Sequence, residues 1–230
     1  MAIAKGDLEI CRWLVEHGGA NPRLECTDNG AALHVACAEY QTEIAVWLLD
    51  NKVFNLKDAN LVGGLPLHYA CVPHEGKEES AILLVVELLH RTEDDDIDEI
   101  QFVVALTLAA KWNVGICQLL IEKCTHRWDM VTCSRGIIPL YEAAKKVTPE
   151  TVSYLVSVVK GRYWDLDTPP FRNGSTVLHA AVASKNTNKV SLLLQEGCSV
   201  HAINQNGQTA LHVYIMNMVN NLQILKLLGR

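Results

Sequence analysis

Long hydrophobic runs and an excess of basic residues are both missing from this chain of 230 residues. Its longest apolar stretches, residues 81–89 and 102–110, fall far below the ~20 residues that a helix needs to cross a bilayer, so no membrane segment is predicted. The formal net charge is -6. Because nonspecific affinity for nucleic acid depends on surplus Lys and Arg, we expect no nucleic-acid partner.

The sequence also lacks the short motifs of common catalytic sites. It contains no G-x-S-x-G nucleophile elbow, no Walker loop and no kinase glycine loop, and turns between helices account for its glycines. We therefore predict a chain that is not an enzyme and that carries neither catalytic residues nor a cofactor.

A disulfide framework is not expected, although the chain has eight cysteines. They are spread along the whole length and mostly lie inside apolar runs, and no signal peptide is recognisable before them. This usage is typical of reduced thiols in a protein core, and it predicts a cytoplasmic or nuclear location. The cysteines are Cys11, Cys26, Cys37, Cys71, Cys117, Cys124, Cys133 and Cys198.

One group of Cys and His residues raises the question of a metal site. It consists of Cys117, Cys124, His126 and Cys133. The intervals between these residues do not form the paired C-x2-C knuckles of structural zinc sites. We therefore predict no metal and interpret these side chains as core and loop residues, with zinc binding as the minor alternative.

The sequence does contain an internal repeat. Its 49% hydrophobic and 20% charged residues indicate a sizeable buried core. A turn residue, a Leu, often a His and then small residues recur six times, and successive Leu positions are 34, 39, 34, 38 and 33 residues apart. The period is therefore about 33 residues with two insertions. The six positions are Leu33, Leu67, Leu106, Leu140, Leu178 and Leu211.

A second string accompanies this motif and has apolar residues at helical spacing, as in residues 8–18, 42–49 and 189–197. Together the two signatures resemble the ankyrin repeat over nearly the whole chain. The resemblance implies an all-α solenoid of helix-loop-helix units with short β-hairpin or loop connections. We expect one domain, 1–230, of about seven units, the first and last incomplete: 1–25, 26–59, 60–98, 99–132, 133–170, 171–203 and 204–230.

The resemblance also assigns roles to the recurring residues. Turn positions that need a positive φ are occupied by Asn29, Gly63, Gly136, Gly174 and Gly207. Small residues that let neighbouring helices approach are Ala36, Ala70, Ala109, Ala143 and Ala181. Histidines expected to bond backbone between adjacent hairpins are His34, His68, His179 and His212.

Some segments depart from the repeat. Residues 72–80 lengthen the third unit, and Phe102 stands where the turn glycine is expected, which predicts an irregular hairpin. Residues 160–174, with Tyr163, Trp164 and Phe171, predict a long finger. The acidic run Glu93–Glu99 has two interpretations, a solvated loop or a segment that covers a nearby basic surface.

Partners of this family usually bind the concave surface made by hairpin tips and the exposed ends of the first helices. Several basic residues and one tryptophan fall on those positions: Lys111, Trp112, Lys145, Lys146, Lys185, Arg135 and Arg172. One interpretation is a site for a partner protein or peptide of acidic or acidic–aromatic character. The other is an ordinary solvated surface.

We therefore interpret the chain as a protein-protein interaction module. The alternative is the ankyrin region of a larger enzyme or channel, such as a kinase, a ubiquitin ligase or an ion channel, which recruits substrate or mediates assembly. Partner identity, oligomeric state and biological process do not follow from the sequence, because one repeat fold serves unrelated partners.

Overall fold

The computed structural model describes residues 2–25, 30–93, 97–124, 133–146, 149–162, 164–217 and 221–229. These ranges contain fourteen α-helices and no β-strand. The helices are α1 (Ala2–Lys5), α2 (Leu8–Glu16), α3 (Ala32–Ala38), α4 (Thr42–Asp50), α5 (Pro66–Ala70), α6 (Glu78–His90), α7 (Glu99–Ala110), α8 (Val114–Lys123), α9 (Cys133–Lys145), α10 (Pro149–Gly161), α11 (Val177–Ala183), α12 (Thr187–Gln195), α13 (Ala210–Met216) and α14 (Leu222–Leu228).

The helices stack in two layers as seven helix pairs. Each odd-numbered helix packs against the next odd-numbered helix, and each even-numbered helix packs against the next even-numbered one. Every predicted unit contains one pair. Contacts between neighbours only are the defining property of a solenoid, so the predicted all-α ankyrin-type solenoid is confirmed.

Burial of the recurring residues explains why the stack holds together. The motif leucines of the second to sixth units are buried, and Leu211 of the last unit is partly buried. The five small residues from Ala36 to Ala181 are fully buried, which lets the first helices of neighbouring units pack closely. Each buried Leu contributes about 1.5–3 kcal/mol relative to an exposed one.

The motif histidines connect adjacent units. Their Nε2 atoms lie 2.9–3.1 Å from carbonyl oxygens of the next unit: His34 from Gly64, His68 from Gln101, and His179 from Gln208. In His68 and His179 the Nδ1 atom accepts a backbone N–H at the start of its own helix, so Nε2 carries the proton and donates. Burial lowers the pKa of His34 and His68 and keeps both rings neutral. The predicted role is confirmed for His34, His68 and His179, whereas the described hydrogen bonds of His212 are with Thr209 of its own unit.

The connections between units are tight turns. Asn60 N–H donates to Gly64 O at 3.0 Å, and Asn204 N–H donates to Gln208 O at 2.9 Å. The predicted positive φ is confirmed at three turn glycines, with values of +80, +71 and +69° at Gly63, Gly174 and Gly207. Asn29 lies outside the described residues, and the neighbouring Gly30 has a φ of +74°.

The prediction for Gly136 was wrong. This residue lies inside helix α9 rather than in a turn, and its φ is not positive. A Cβ atom at this position would lie 1.8 Å from Cζ3 of Trp164. Gly136 is therefore required because the ring of Trp164, which follows α10 in the same unit, packs directly on the helix backbone.

The irregular hairpin expected at Phe102 is replaced by helix. Helix α7 already begins at Glu99, where the side chain of Asp98 accepts the backbone N–H of Gln101 at 2.7 Å. Phe102 is fully buried within it. As a result α7 has 12 residues and α9 has 13, whereas α3 and α11 have seven each. The fourth and fifth units therefore have long first helices.

Candidate partner-binding surface

Four of the predicted site residues lie at the C-terminal ends of two neighbouring first helices. Lys111 caps α7 and Trp112 follows it, while Lys145 ends α9 and Lys146 follows it. Helices α7 and α9 pack side by side. Trp112 keeps 49% of its surface exposed, which is unusual for the largest side chain.

These four side chains are close enough to interact. Lys146 Nζ lies 5.1 Å from the centroid of the Trp112 ring, which is cation–π geometry. Glu142 lies between the other two lysines, with Oε2 at 3.6 Å from Lys111 Nζ and Oε1 at 3.1 Å from Lys145 Nζ. We call this group of five residues the Trp112 cluster. The sequence prediction missed Glu142, whose position three residues before Lys145 was the available signal.

The contacts inside the Trp112 cluster are weak ones. Exposed ion pairs contribute roughly 0–1 kcal/mol, and an exposed cation–π contact contributes about 0.5–1 kcal/mol. Three lysines and one glutamate leave a formal charge of +2. The cluster therefore holds its side chains in place without neutralising them. Lys145 and Lys146 are accessible to a ligand, whereas the Glu142 side chain is only 13% exposed and stays paired with Lys111.

An aromatic pair adjoins the cluster. Tyr141 and Phe171 meet edge to face with ring centroids 5.3 Å apart, and Lys145 Nζ lies 5.7 Å from the centroid of Tyr141. Phe171 belongs to the loop before α11 and is exposed, as is the neighbouring Arg172. Arg172 follows Phe171 in the chain, within the segment that was expected to form a finger. Tyr163 of that segment lies outside the described residues.

The other two predicted residues are placed differently. Arg135 Nη1 lies 2.9 Å from Glu99 Oε1, so it joins the N-terminal parts of α9 and α7. Ten residues of helix, about 15 Å of rise, separate it from Lys145. Lys185 is exposed just after α11 with a φ of 60°. Neither residue is part of the Trp112 cluster.

A buried lysine binds the C-terminal end of α9, next to the Trp112 cluster. Lys189 of α12 is fully buried, and its Nζ donates to Ala144 O at 2.5 Å and also to Lys146 O. Both acceptors are carbonyls at the C-terminal end of α9, where a cation opposes the negative end of the helix dipole. Burial lowers the pKa of Lys189 to about 8. The sequence prediction missed this role because Lys189 begins an amphipathic helix and resembles a surface residue.

The same face continues as an apolar groove beside the third unit. The groove has a volume of about 630 Å³, and Ala38, Glu39, Tyr69, Val72 and Leu108 contribute to its lining. Ala38 and Val72 occupy the position of Lys111 and Lys145, and Glu39 occupies the position of Trp112 and Lys146. The structure therefore joins an apolar half and a basic half on one surface.

The acidic run is partly fixed by the fold. Ile97 is buried, Asp98 caps α7, and Glu99 binds Arg135. Residues 94–96 lie outside the described ranges, so both interpretations of the run remain predictions. In the described part of the chain, no helix is both long and apolar enough to cross a membrane.

The candidate zinc ligands are not assembled in the described structure. Cys117 and Cys124 are buried, while His126 and the side chain of Cys133 lie outside the described residues. Within the described ranges, no three His, Cys, Asp or Glu residues are placed to hold a metal ion. Burial raises the pKa of Cys117 and of Cys198 to about 12, so these thiols stay protonated and unreactive near neutral pH.

Comparison with known proteins identifies the repeat. The family model described as ankyrin repeats (3 copies) matches residues 1–98, 105–204 and 157–229. The protein named "Putative palmitoyltransferase ZDHHC13" from Danio rerio is 26% identical over 208 residues. That match covers 90% of this chain and 30% of the fish protein, so the chain spans about a third of that relative's length.

Solved structures show the same fold. The human ASB11 ankyrin repeat domain has a TM-score of 0.69 at 20% identity, covering 98% of this chain and 95% of that one. The ankyrin repeat domain of Bcl-3, a member of the IkappaB protein family, has a TM-score of 0.63 at 17% identity, covering 100% and 96%. At these identities the similarity concerns the fold alone.

Proposed function

Because this chain belongs to the ankyrin repeat family, whose arrays generally act as protein-interaction modules, we propose that it binds a partner protein through the Trp112 cluster and the residues around it. Lys111, Trp112, Lys145 and Lys146 form the centre of the proposed surface. Arg172 and Lys185 extend it towards the sixth unit, and Arg135 lies at its far edge. The array itself binds and does not catalyse.

The half-exposed ring of Trp112 is the observation that carries this proposal. Tryptophan is among the residues that most often dominate binding energy at interfaces, because its large ring is desolvated when a partner covers it. Lys146 over the ring and Lys111 on the same helix end restrict how the partner approaches. The ring anchors the partner and the lysines orient it.

The formal charge of the cluster favours an acidic partner segment. Charge complementarity at an exposed surface acts mainly on the association rate and on the choice of partner, and it weakens as salt screens the charges. An acidic or acidic–aromatic segment can pair with the exposed Lys145 and Lys146 while Glu142 keeps its ion pair with Lys111. We therefore expect binding that is tighter at low ionic strength.

Charge reversal tests the proposal directly. The Lys145→Glu/Lys146→Glu variant and the wild-type array are used side by side for affinity capture from lysate, with quantitative mass spectrometry of the captured proteins. We expect a specific set of proteins to be captured by the wild type and lost from the variant. The matched control is Lys123→Glu/Lys226→Glu, which makes the same charge change on exposed second-helix positions. Equal capture by all three proteins would rule out the surface.

A second candidate function has one observation in its favour. A protein named as a putative palmitoyltransferase matches 90% of this chain, but the match covers only 30% of that protein. In this alternative the array is one region of a larger enzyme and recruits its substrate. An antibody against the array tests this on immunoblots of native extract: a band far above 25.5 kDa supports the alternative, and a band at that mass contradicts it.

We also propose that the array works in a reducing compartment, cytoplasmic or nuclear. Cys11, Cys37, Cys71, Cys117 and Cys198 are buried thiols. The protein is purified from its natural source and unfolded without a reducing agent, and titration of its thiols should then find eight. Six or fewer would indicate a disulfide and contradict the proposal.

A further inference from the structure

Helix α7 carries a row of exposed aliphatic side chains along one face. Ile100 and Val104 are 55% and 38% exposed, and Leu108 is half-buried one turn further on. Residues four apart lie on the same side of a helix, so the row runs along the axis and ends at Trp112. Ile100 belongs to the helix because α7 begins at Glu99, where the regular units still have a turn.

Two members of this row, Val104 and Leu108, form one wall of the apolar groove, and Ile100 continues the row beyond it. Val104 and Leu108 lie on the α7 side, while Val72 and Tyr69 belong to α5 and its C-terminal end, and Ala38 ends α3. A groove of about 630 Å³ is within the range of sites that enclose a ligand, and it accommodates two or three aliphatic side chains of a bound chain. The small side chain of Ala38 keeps its far end open.

A rigid aliphatic tip stands at the rim of the groove. Leu61 and Val62 are 85% and 87% exposed at the tip of the turn that leads into α5. Asn60 fixes this turn, because its Oδ1 accepts the N–H groups of Val62 at 3.2 Å and of Gly64 at 2.7 Å. Gly64 lines the groove. An ordered tip binds without losing much conformational entropy, which favours contact with a partner.

Charge divides the surface along the array. The groove next to the second and third units is apolar with the exposed Glu39 at its edge, and Lys111, Lys145 and Lys146 lie next to it on the fourth and fifth units. A ligand that complements both halves has aliphatic residues directly beside acidic ones. This order distinguishes it from a purely acidic peptide, which would leave the groove unfilled.

We infer that the groove and the Trp112 cluster together bind one segment of a partner protein, in which two or three aliphatic residues are adjacent to a short acidic stretch. The aliphatic side chains fill the groove between α5 and α7 and contact the Leu61–Val62 tip. The acidic side chains bind Lys145 and Lys146. This inference rests on the proposed function and specifies the chemistry of the partner.

Selection of peptides tests the inference. A random peptide library displayed on phage is selected against the whole 230-residue chain, and the enriched sequences are determined. We expect aliphatic residues next to Asp or Glu on one side. One enriched peptide is then labelled, and its affinity is measured by fluorescence anisotropy at low and high salt.

Two variants separate the two halves of the site. Ile100→Gln/Val104→Gln removes aliphatic contacts without changing charge, and loss of two such contacts should weaken the peptide about tenfold at every salt concentration. Lys145→Glu/Lys146→Glu changes the formal charge of the cluster from +2 to -2, so it should weaken the peptide most at low salt and reverse the salt dependence. The matched control Leu83→Gln/Leu222→Gln, at two exposed leucines on second helices, should bind like the wild type.

The outcomes distinguish the inference from the function on which it rests. Enriched peptides that are only acidic, and insensitive to Ile100→Gln/Val104→Gln, would overturn the inference and leave the proposed function intact. Peptides insensitive to both variants would overturn both. No enrichment at all would also overturn the inference, while lysate capture continues to test the function. A wild-type dimer in sedimentation that Ile100→Gln/Val104→Gln dissociates would assign the groove to a second copy, contrary to the inference.

Discussion

Two kinds of unit are present in this array and hold their neighbours in different ways. In the second and sixth units, short first helices follow a turn, and His34 and His179 donate to backbone carbonyls of the next unit. In the fourth and fifth units the first helices are longer and carry no histidine at that position. There Phe102 fills the core and Trp164 packs on Gly136. Hydrogen bonds secure one kind of unit and large side chains secure the other.

The exposed side chains differ in the same way. Where the sixth unit has Ala183 at the end of its first helix, the fourth and fifth units have Lys111 and Lys145. The exposed aliphatic row on α7 has no room in a seven-residue helix. In these units large side chains pack the interior, and the C-terminal ends of α7 and α9 and one face of α7 remain exposed for binding. The irregular units carry the basic half of the proposed surface and the α7 wall of the groove, whereas the second and third units supply the rest of the groove lining.

Restoring the turn glycine gives the largest test of this comparison. Phe102→Gly returns the residue of the regular units, but we expect it to lower the free energy of unfolding by about 4 kcal/mol. The loss combines the cavity left by a fully buried ring with the cost of glycine inside α7. Urea unfolding followed by circular dichroism measures it. Unchanged stability would mean that the fourth unit can adopt a regular turn after all.

Adding one methyl group separates the two roles of glycine. Gly136→Ala places a Cβ against the Trp164 ring and should cost roughly 3 kcal/mol by overpacking. Gly63→Ala meets no atom but keeps a φ of +80°, so it should cost about 1–2 kcal/mol through backbone strain. Trp164→Ala should suppress most of the effect of Gly136→Ala in a double-mutant cycle and none of the effect of Gly63→Ala. Equal responses of the two glycine variants to Trp164→Ala would contradict this assignment.

The regular half of the fold follows from the sequence because its determinants are local. Leu33, Gly63 and His68 each occupy a fixed place in a repeated motif, and the motif specifies turn, core and inter-unit hydrogen bond together. The early start of α7 had a local signal in its N-cap residue Asp98, whereas the contact of Trp164 with Gly136 of α9 is not local. Pro139 aligns with Pro66, which is the first residue of α5, and proline favours the first turn of a helix. The alignment therefore predicts that α9 begins at Pro139, but α9 begins six residues earlier.

The candidate site was predictable to a similar extent. Lys111, Trp112, Lys145 and Lys146 were found because the repeat assigns equivalent positions in consecutive units. Glu142 and the groove were not, because their importance depends on which side chains of different units become neighbours. Lys189 was missed for the same reason, since its carbonyl acceptors are more than forty residues away in the chain.

Lys189 provides a pH-dependent test of the junction between the fifth and sixth units. Its pKa falls from 10.5 to about 8 on folding because burial disfavours the charged form. Below pH 8 the ammonium is charged in both states and the burial penalty is complete. Between about 8 and 10.5 the unfolded chain binds more protons, so stability from this group rises with pH. The neutral amine still has two N–H groups for the two carbonyls.

The measurement compares the wild type with Lys189→Met across this range. The stability of the wild type relative to the variant should increase by of the order of 2 kcal/mol between pH 7.5 and 10.5. Deprotonation of cysteines in the unfolded chain affects both proteins equally and cancels in the difference. Lys226→Met, at an exposed lysine, is the control and should show no such trend. A flat difference for Lys189→Met would mean that its ammonium stays charged in the fold.

The smallest expected effect concerns Trp112 and Lys146. If the irregular units gain stability from their interior, substitutions at this exposed pair should hardly affect folding. We expect Trp112→Ala and Lys146→Ala each to change the free energy of unfolding by less than about 1 kcal/mol, with a coupling of about 0.5 kcal/mol from the cation–π contact. The same two variants should each weaken peptide binding clearly. A large loss of stability with unchanged binding would make the pair a structural contact, and the contrast between interior and surface in these units would then fail.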